Sequence, residues 1–159
     1  MSSQPSVKIA YFKEQLQLAT LAAQTLEISF QRSKPIIQSL QKAPAGKLEV
    51  TEEETLEALT SRFARLADLI IQKLARGLDA LELVDEGSIL DRLSRMEKRG
   101  LIQKMQDWVT IREIRNEIAH EYIVKNLRGL QIEAYKHTPP LMECLNAIQS
   151  YAQSKGWMK

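Results

Sequence analysis

From Ile9 to Phe30, apolar side chains recur at alternating steps of three and four residues: Ile9, Phe12, Leu16, Ala19, Ala23, Leu26 and Phe30. That spacing puts them on one line of an α-helix, which commits the N-terminal part of the chain to a long helix. Leu18, Leu21, Ala22 and Ile28 widen the stripe beyond a coiled-coil seam, as in a bundle helix that touches more than one neighbour. The spacing predicts a helix from about Ser6 to Gln31, with residues 1–5 disordered. Pro35 ends that helix or restarts a short turn through Leu40, and Ala43-Pro-Ala-Gly46 reads as a loop.

The same period continues downstream. Thr51-Glu-Glu-Glu54 has the form of a capping box, with three carboxylates suited to the positive end of a helix dipole. The helix it opens is predicted to reach about Leu83, burying Leu56, Leu59, Phe63, Leu66, Ile70, Leu74, Leu78 and Leu81. Gly77 within it costs roughly 1 kcal/mol against Ala, which marks a close helix crossing. Ser88-Ile-Leu-Asp91 is a second N-cap, and Lys98-Arg99-Gly100 is a basic-then-glycine stop. A connector over Leu101–Gln106 then leads to a helix capped by Asp107 and running to about Asn126. Leu130–His137 is ambiguous, and Thr138-Pro-Pro140 opens a last helix to about Ser154 with Leu141, Leu145, Ile148 and Ala152 inside.

No segment has strand periodicity, and only 6 Gly and 5 Pro punctuate 159 residues of which 44% are hydrophobic. The expectation is one all-α domain over residues 1–159, an up-and-down bundle of four long helices plus a short one, with wide seams that favour self-association. The opening Met1-Ser-Ser-Gln-Pro is polar and no apolar leader core follows it. The greasiest run, Leu66–Leu74, carries Asp68 and Lys73 and is too short to cross a bilayer. A soluble cytoplasmic protein with no membrane association is expected. Cys144 is the single cysteine, read as a buried small hydrophobe, and His120 and His137 are the only histidines. An internal disulfide and a Cys-based zinc site are thereby ruled out, and any chemistry is expected to need neither metal nor cofactor.

Charge is uneven although the net is +2: residues 51–91 hold ten acids against four Lys/Arg, and residues 92–128 hold nine Lys/Arg against five acids. A basic excess in the second segment suits a polyanion-binding site and suits an ordinary solvated helix face equally well. Within it, Ile111–Val124 gathers Arg115, Asn116, His120 and Tyr122. At about 100° per residue, Arg115 and Tyr122 share one line beside the Ile111, Ile114 and Ile118 core stripe. Asn116 and His120 share the neighbouring line at i,i+4, and small Ala119 sits between the two. A guanidinium gives bidentate contacts to phosphate, and an imidazole takes or gives protons near neutrality. Together they suit metal-free RNA transesterification, with histidine as base or acid and arginine facing the charge that builds on the phosphoryl oxygens. Against this, Arg115 shares its helix with Glu113 and Glu117, the usual setting of a surface ion pair. The polar arc is also wider than one compact pocket uses, so two copies of the helix are needed to close it.

Arg115-Asn116-Glu-Ile-Ala-His120-Glu-Tyr122 resembles the Arg-x4-His-x-Tyr signature of HepT-like toxins within the HEPN superfamily. The resemblance covers eight residues closely and the order of helices more loosely. It implies a dimerising HEPN-like bundle and an endoribonuclease whose composite site lies at the homodimer interface. It carries over Arg115 and His120 as catalytic and Asn116 as their polar support. It implies RNA as substrate, and from the local basic excess Arg112, Lys125 and Arg128 are expected as supplementary, weaker contacts. It also implies a partner, a minimal nucleotidyltransferase antitoxin that silences the toxin by AMPylating Tyr122. Within the same resemblance, a non-catalytic helical subunit that binds substrate for a nucleotidyltransferase is the alternative.

Overall fold

The computed structural model describes residues 3–84, 86–120 and 126–158, and every regular element among them is helical. The elements are α1 (Ser3–Lys42), α2 (Val50–Asp68), a π-helical turn (Leu69–Leu74), α3 (Ala75–Leu81), α4 (Ile89–Lys98), α5 (Met105–Ala119), α6 (Leu127–Lys136) and α7 (Thr138–Ser154). The all-α expectation holds. The ambiguous stretch after Asn126 is a helix of its own, and α5 stops at Ala119 rather than near Asn126.

Helix α1 begins at Ser3, ahead of the predicted start, and runs through Pro35 to Lys42. An interior proline removes one hydrogen bond and clashes with the carbonyl four residues back. Here the apolar stripe continues past it: Ile36, Ile37 and Leu40 are buried, while Pro35 and Gln31 lie on the exposed side. Burial of those side chains outweighs the local defect. The predicted seam is the buried line, with Phe12, Leu16, Ala19, Ala23 and Leu26 inside. Leu18, Leu21 and Ile28 depart from expectation. They are about half exposed and, with Val7 and Tyr11, form a second apolar line that no other described helix covers.

Helices α1 and α2–α3 pack antiparallel. Arg62 donates to the Thr25 carbonyl and the Ser29 hydroxyl at 3.0 and 2.8 Å, and further along Gly77 lies against the Phe12 ring. A Cβ at Gly77 would meet that ring at 3.0 Å, so the glycine does mark the close crossing. The buried face read from spacing is the observed one from Leu56 to Leu78, each residue 0–1% exposed. Helix α7 and the turn after it close the far side: Gln149 donates to Thr20, Trp157 beyond the helix meets Phe12 edge to face, and Leu141, Leu145, Ile148 and Ala152 are buried. Phe30 stacks on Tyr135 of α6.

Helix ends confirm some of the predicted caps and move others. Ser88 and Asp91 form a reciprocal capping box, and Gly100 (φ 76°) ends α4 with Leu101 N–H on the Met96 carbonyl. The first-turn cap of α2 belongs to Glu49, whose N–H donates to Glu52 at 2.9 Å, two residues before the Thr51 predicted. Helix α5 begins at Met105, with Lys104 rather than Asp107 at the cap and the Glu97 carboxylate accepting from Met105 N–H.

The joint between α3 and α4 is ionic and buried. Asp79, 0% exposed, accepts from Arg95 and from Arg99, each at 2.8 Å, and Arg99 also reaches Glu82 at 3.0 Å. The Glu82 carboxylate in turn accepts from the Tyr151 hydroxyl of α7. Removing one member of such a network leaves uncompensated buried charge, which costs about 3–5 kcal/mol. Asp79→Ala should therefore lower stability by about 3 kcal/mol in urea unfolding, the low end because Arg95 reaches solvent. Glu82→Gln, at the wetter rim, should cost under about 1 kcal/mol. Equal effects from the two would show that the buried carboxylate is not the anchor.

Cys144 is 2% exposed inside α7, and burial pushes its thiol pKa well above the ordinary value. A group whose pKa is raised on folding contributes stability below its unfolded pKa and loses it as pH rises past that value. Native protein should therefore resist thiol reagents at pH 8 and label only on unfolding. The decline in stability above about pH 9 should be shallower in Cys144→Ala. Rapid native-state labelling would contradict the buried placement.

Candidate anion-binding site

Arg115 leaves α5 on the border of the core stripe. Ile111 and Ile114 face inward at 0% and 6% exposure, and Trp108 packs one turn earlier. The guanidinium points across to α2, where Nε donates to Asp68 Oδ1 at 2.6 Å and Nη2 to Asp68 Oδ2 at 2.8 Å. The partner is thus an acid from another helix and not Glu113 or Glu117. The paired carboxylate raises the Arg115 pKa further, so its charge is permanent.

Two parallel bonds use the side fork of the guanidinium, formed by Nε and Nη2. The end fork, formed by Nη1 and the second Nη2 hydrogen, has no partner among the described residues. The Arg115 and Asp68 side chains are 33% and 40% exposed and line a cleft of about 490 Å³. Arg65, Lys73, Arg112 and Asn116 line it too, with Leu69, Ile71 and Gln72 as its floor and side. Four cations and one carboxylate make the cleft electropositive.

The backbone makes room for this. Asp68 is the last residue of α2, and the chain then widens into a π-helical turn in which Ala75 N–H reaches back to the Ile70 carbonyl. The wider turn buries Ile70, Ile71, Leu74 and Ala75 while Leu69, Gln72 and Lys73 look into the cleft. Single π-turns are rare and are frequent at functional sites.

The structure brings together three of the residues singled out by sequence: Arg112, Arg115 and Asn116. His120 lies apart from that lining. It is the exposed C-cap of α5, its N–H shared between the Asn116 and Glu117 carbonyls at 3.2 Å each. Arg128 is engaged elsewhere, with Nη2 and Nη1 on the Glu53 carboxylate at 2.6 and 3.2 Å and Nη1 also on Gln131. Tyr122 and Lys125 lie outside the described residues. His137 bonds the Glu133 carbonyl at 2.8 Å and closes α6.

Sequence reasoning missed Asp68, Arg65 and Lys73. A signal was present: Asp68 and Lys73 are the only charges in the apolar run Leu66–Leu74, and both face the cleft. Among the described residues no group of three or more His, Cys, Asp or Glu side chains is arranged to hold a metal ion, and no helix is long and apolar enough to cross a membrane. No protein-family model matches the chain, and no curated protein is similar to it.

Proposed function

We propose that this protein is a metal-independent endoribonuclease of the HEPN type, the toxin of a toxin–antitoxin pair, acting in the cytoplasm on tRNA or mRNA. The observation that carries the proposal is the end fork of Arg115, without a partner among the described residues, in a cationic cleft with Asn116 beside it and His120 one helical turn on. In this reading a phosphodiester binds at the end fork, and Arg112, Lys73 and Arg65 draw the strand in. His120 takes the proton of a 2′-hydroxyl or gives one to the departing 5′-oxygen. The 2′-oxygen bonds to phosphorus, the P–O5′ bond breaks, and the products carry a 2′,3′-cyclic phosphate and a 5′-hydroxyl. Arg115 opposes the charge that gathers on the phosphoryl oxygens.

A homodimer completes the reading, because His120 stands outside the Arg115 cleft of its own chain. The exposed apolar line on α1 supports such pairing. Tyr11 on that line shares a hollow with Gln72 and Lys73, which also line the cleft, so a partner seated there lies next to the site. The separation of His120 from the cleft also favours a second reading, a helical subunit that binds substrate for a partner nucleotidyltransferase.

Wild-type protein incubated with RNA in EDTA should yield cyclic-phosphate ends, and His120→Ala and Arg115→Ala should each cut at least about 100-fold more slowly. Cleavage at equal rates in all three would end the catalytic assignment, and loss of activity on chelation would end the metal-free mechanism. Binding without cleavage would move the protein to the second reading.

The regulatory part of the proposal is AMPylation of Tyr122 by a minimal nucleotidyltransferase antitoxin. A small nucleotidyltransferase from the adjacent reading frame, supplied with ATP, should add adenylyl mass to the wild type and none to Tyr122→Phe. The same mass gain in Tyr122→Phe would place the modification elsewhere.

A further inference from the structure

Asp68 poses a physical puzzle in the site just proposed, and this inference rests on Arg115 being its anion-binding residue. An acid inside an anion-binding cleft repels the ligand, so by charge alone the cleft would bind better without it. The geometry of its two bonds points the other way. Asp68 Oδ1 and Oδ2 meet Nε and Nη2 of Arg115 at 2.6 and 2.8 Å, a planar fork that fixes the last torsions of a side chain otherwise free to rotate. Ordering an arginine without such a brace costs side-chain entropy each time a ligand binds. With the side fork occupied and the end fork without a partner among the described residues, the end fork is the edge that offers itself to a ligand.

The carboxylate is itself well placed to hold. Asp68 closes α2 where the π-helical turn begins, so its backbone is hydrogen-bonded within the helix and its side chain projects from rigid structure. The widened turn then carries Leu69, Gln72 and Lys73 to the cleft beside it. A side chain on a loop would not define the direction of Arg115 as closely.

We propose that Asp68 is a positioning residue that clamps the side fork of Arg115, so that the end fork receives one phosphodiester of a single-stranded nucleic acid in two-pronged contact. The ligand meets a guanidinium already oriented and does not displace Asp68.

The test is a double-mutant cycle read by binding, with a single-stranded 2′-deoxy oligonucleotide as probe because it cannot be cleaved through a 2′-hydroxyl. Asp68→Asn should weaken binding about 5- to 10-fold even though it removes a negative charge, and Arg115→Ala should weaken it by at least as much. The double variant should bind no more weakly than Arg115→Ala alone, since Asp68 acts only through Arg115. Asp68→Glu should recover part of the loss, and all variants should keep the wild-type far-UV spectrum. In cleavage of RNA, Asp68→Asn should lower kcat more than it raises KM.

Tighter binding by Asp68→Asn would overturn the proposal and make Asp68 a counter-charge that the ligand must displace. Additive losses in the double variant would overturn it too, because Asp68 would then act on the ligand independently of Arg115. Absence of RNA cleavage by the wild type, with the binding cycle intact, would fail the ribonuclease reading and leave the clamp standing. Absence of any oligonucleotide binding by the wild type would overturn the clamp.

Discussion

The bundle is held in register by acids of one segment meeting bases of the next. Residues 51–91 are rich in carboxylates and residues 92–128 in Lys and Arg, and in three dimensions the two segments face each other. Glu53 meets Arg128, Asp68 meets Arg115, and Asp79 and Glu82 meet Arg95 and Arg99. These contacts run from the first turn of α2 to the end of α3, and the buried Asp79 pair is the one strong enough to fix how α4 lies along that helical column. Hydrophobic burial supplies the driving force but is non-directional. A buried carboxylate such as Asp79 adds direction, because a register that left it unpaired would carry uncompensated buried charge.

That pairing changes the meaning of the basic excess. Read along the chain, nine Lys and Arg against five acids resembled a surface for polyanions. In the fold, Arg95, Arg99 and Arg128 are consumed by partners from the preceding segment. The charge that remains beside Arg115 comes partly from α2 and the π-helical turn, through Arg65 and Lys73, and partly from Arg112. The cleft is therefore built across two segments, and neither one alone has its character.

Much of the helix pattern was legible because burial acts through a period of 3.6. The lines Phe12–Leu26, Leu56–Leu78 and Leu141–Ala152 all lie in the core of the structure. What escaped the reading has physical causes. Pro35 is a helix breaker by propensity, and α1 continues through it with Ile36, Ile37 and Leu40 buried beyond. Leu18, Leu21 and Ile28 satisfy helical periodicity, but periodicity cannot say whether a second apolar line meets this chain or another. The cap of α2 lies two residues earlier than Thr51, because a Glu49–Glu52 capping box has the same three-residue spacing as Thr51–Glu54 and a run of acids offers both. The Asp68–Arg115 pair spans 47 positions in sequence, and no local rule couples residues so far apart.

Two aspartates on the same helical column show how magnitude separates a scaffold contact from one in the candidate site. Asp79 is fully buried and bridges two arginines, a setting in which loss of the carboxylate costs several kcal/mol. Asp68 and Arg115 are both well exposed to solvent, and an ion pair in that setting contributes roughly 0–1 kcal/mol. The fold gains little from this second pair, yet its geometry is the better of the two: a planar bidentate fork beside a rare π-helical turn, aimed into a cleft. Good geometry with little stability to show for it is what a positioning contact requires. Such a contact has to order a side chain in advance of the ligand, and it need not hold two helices together.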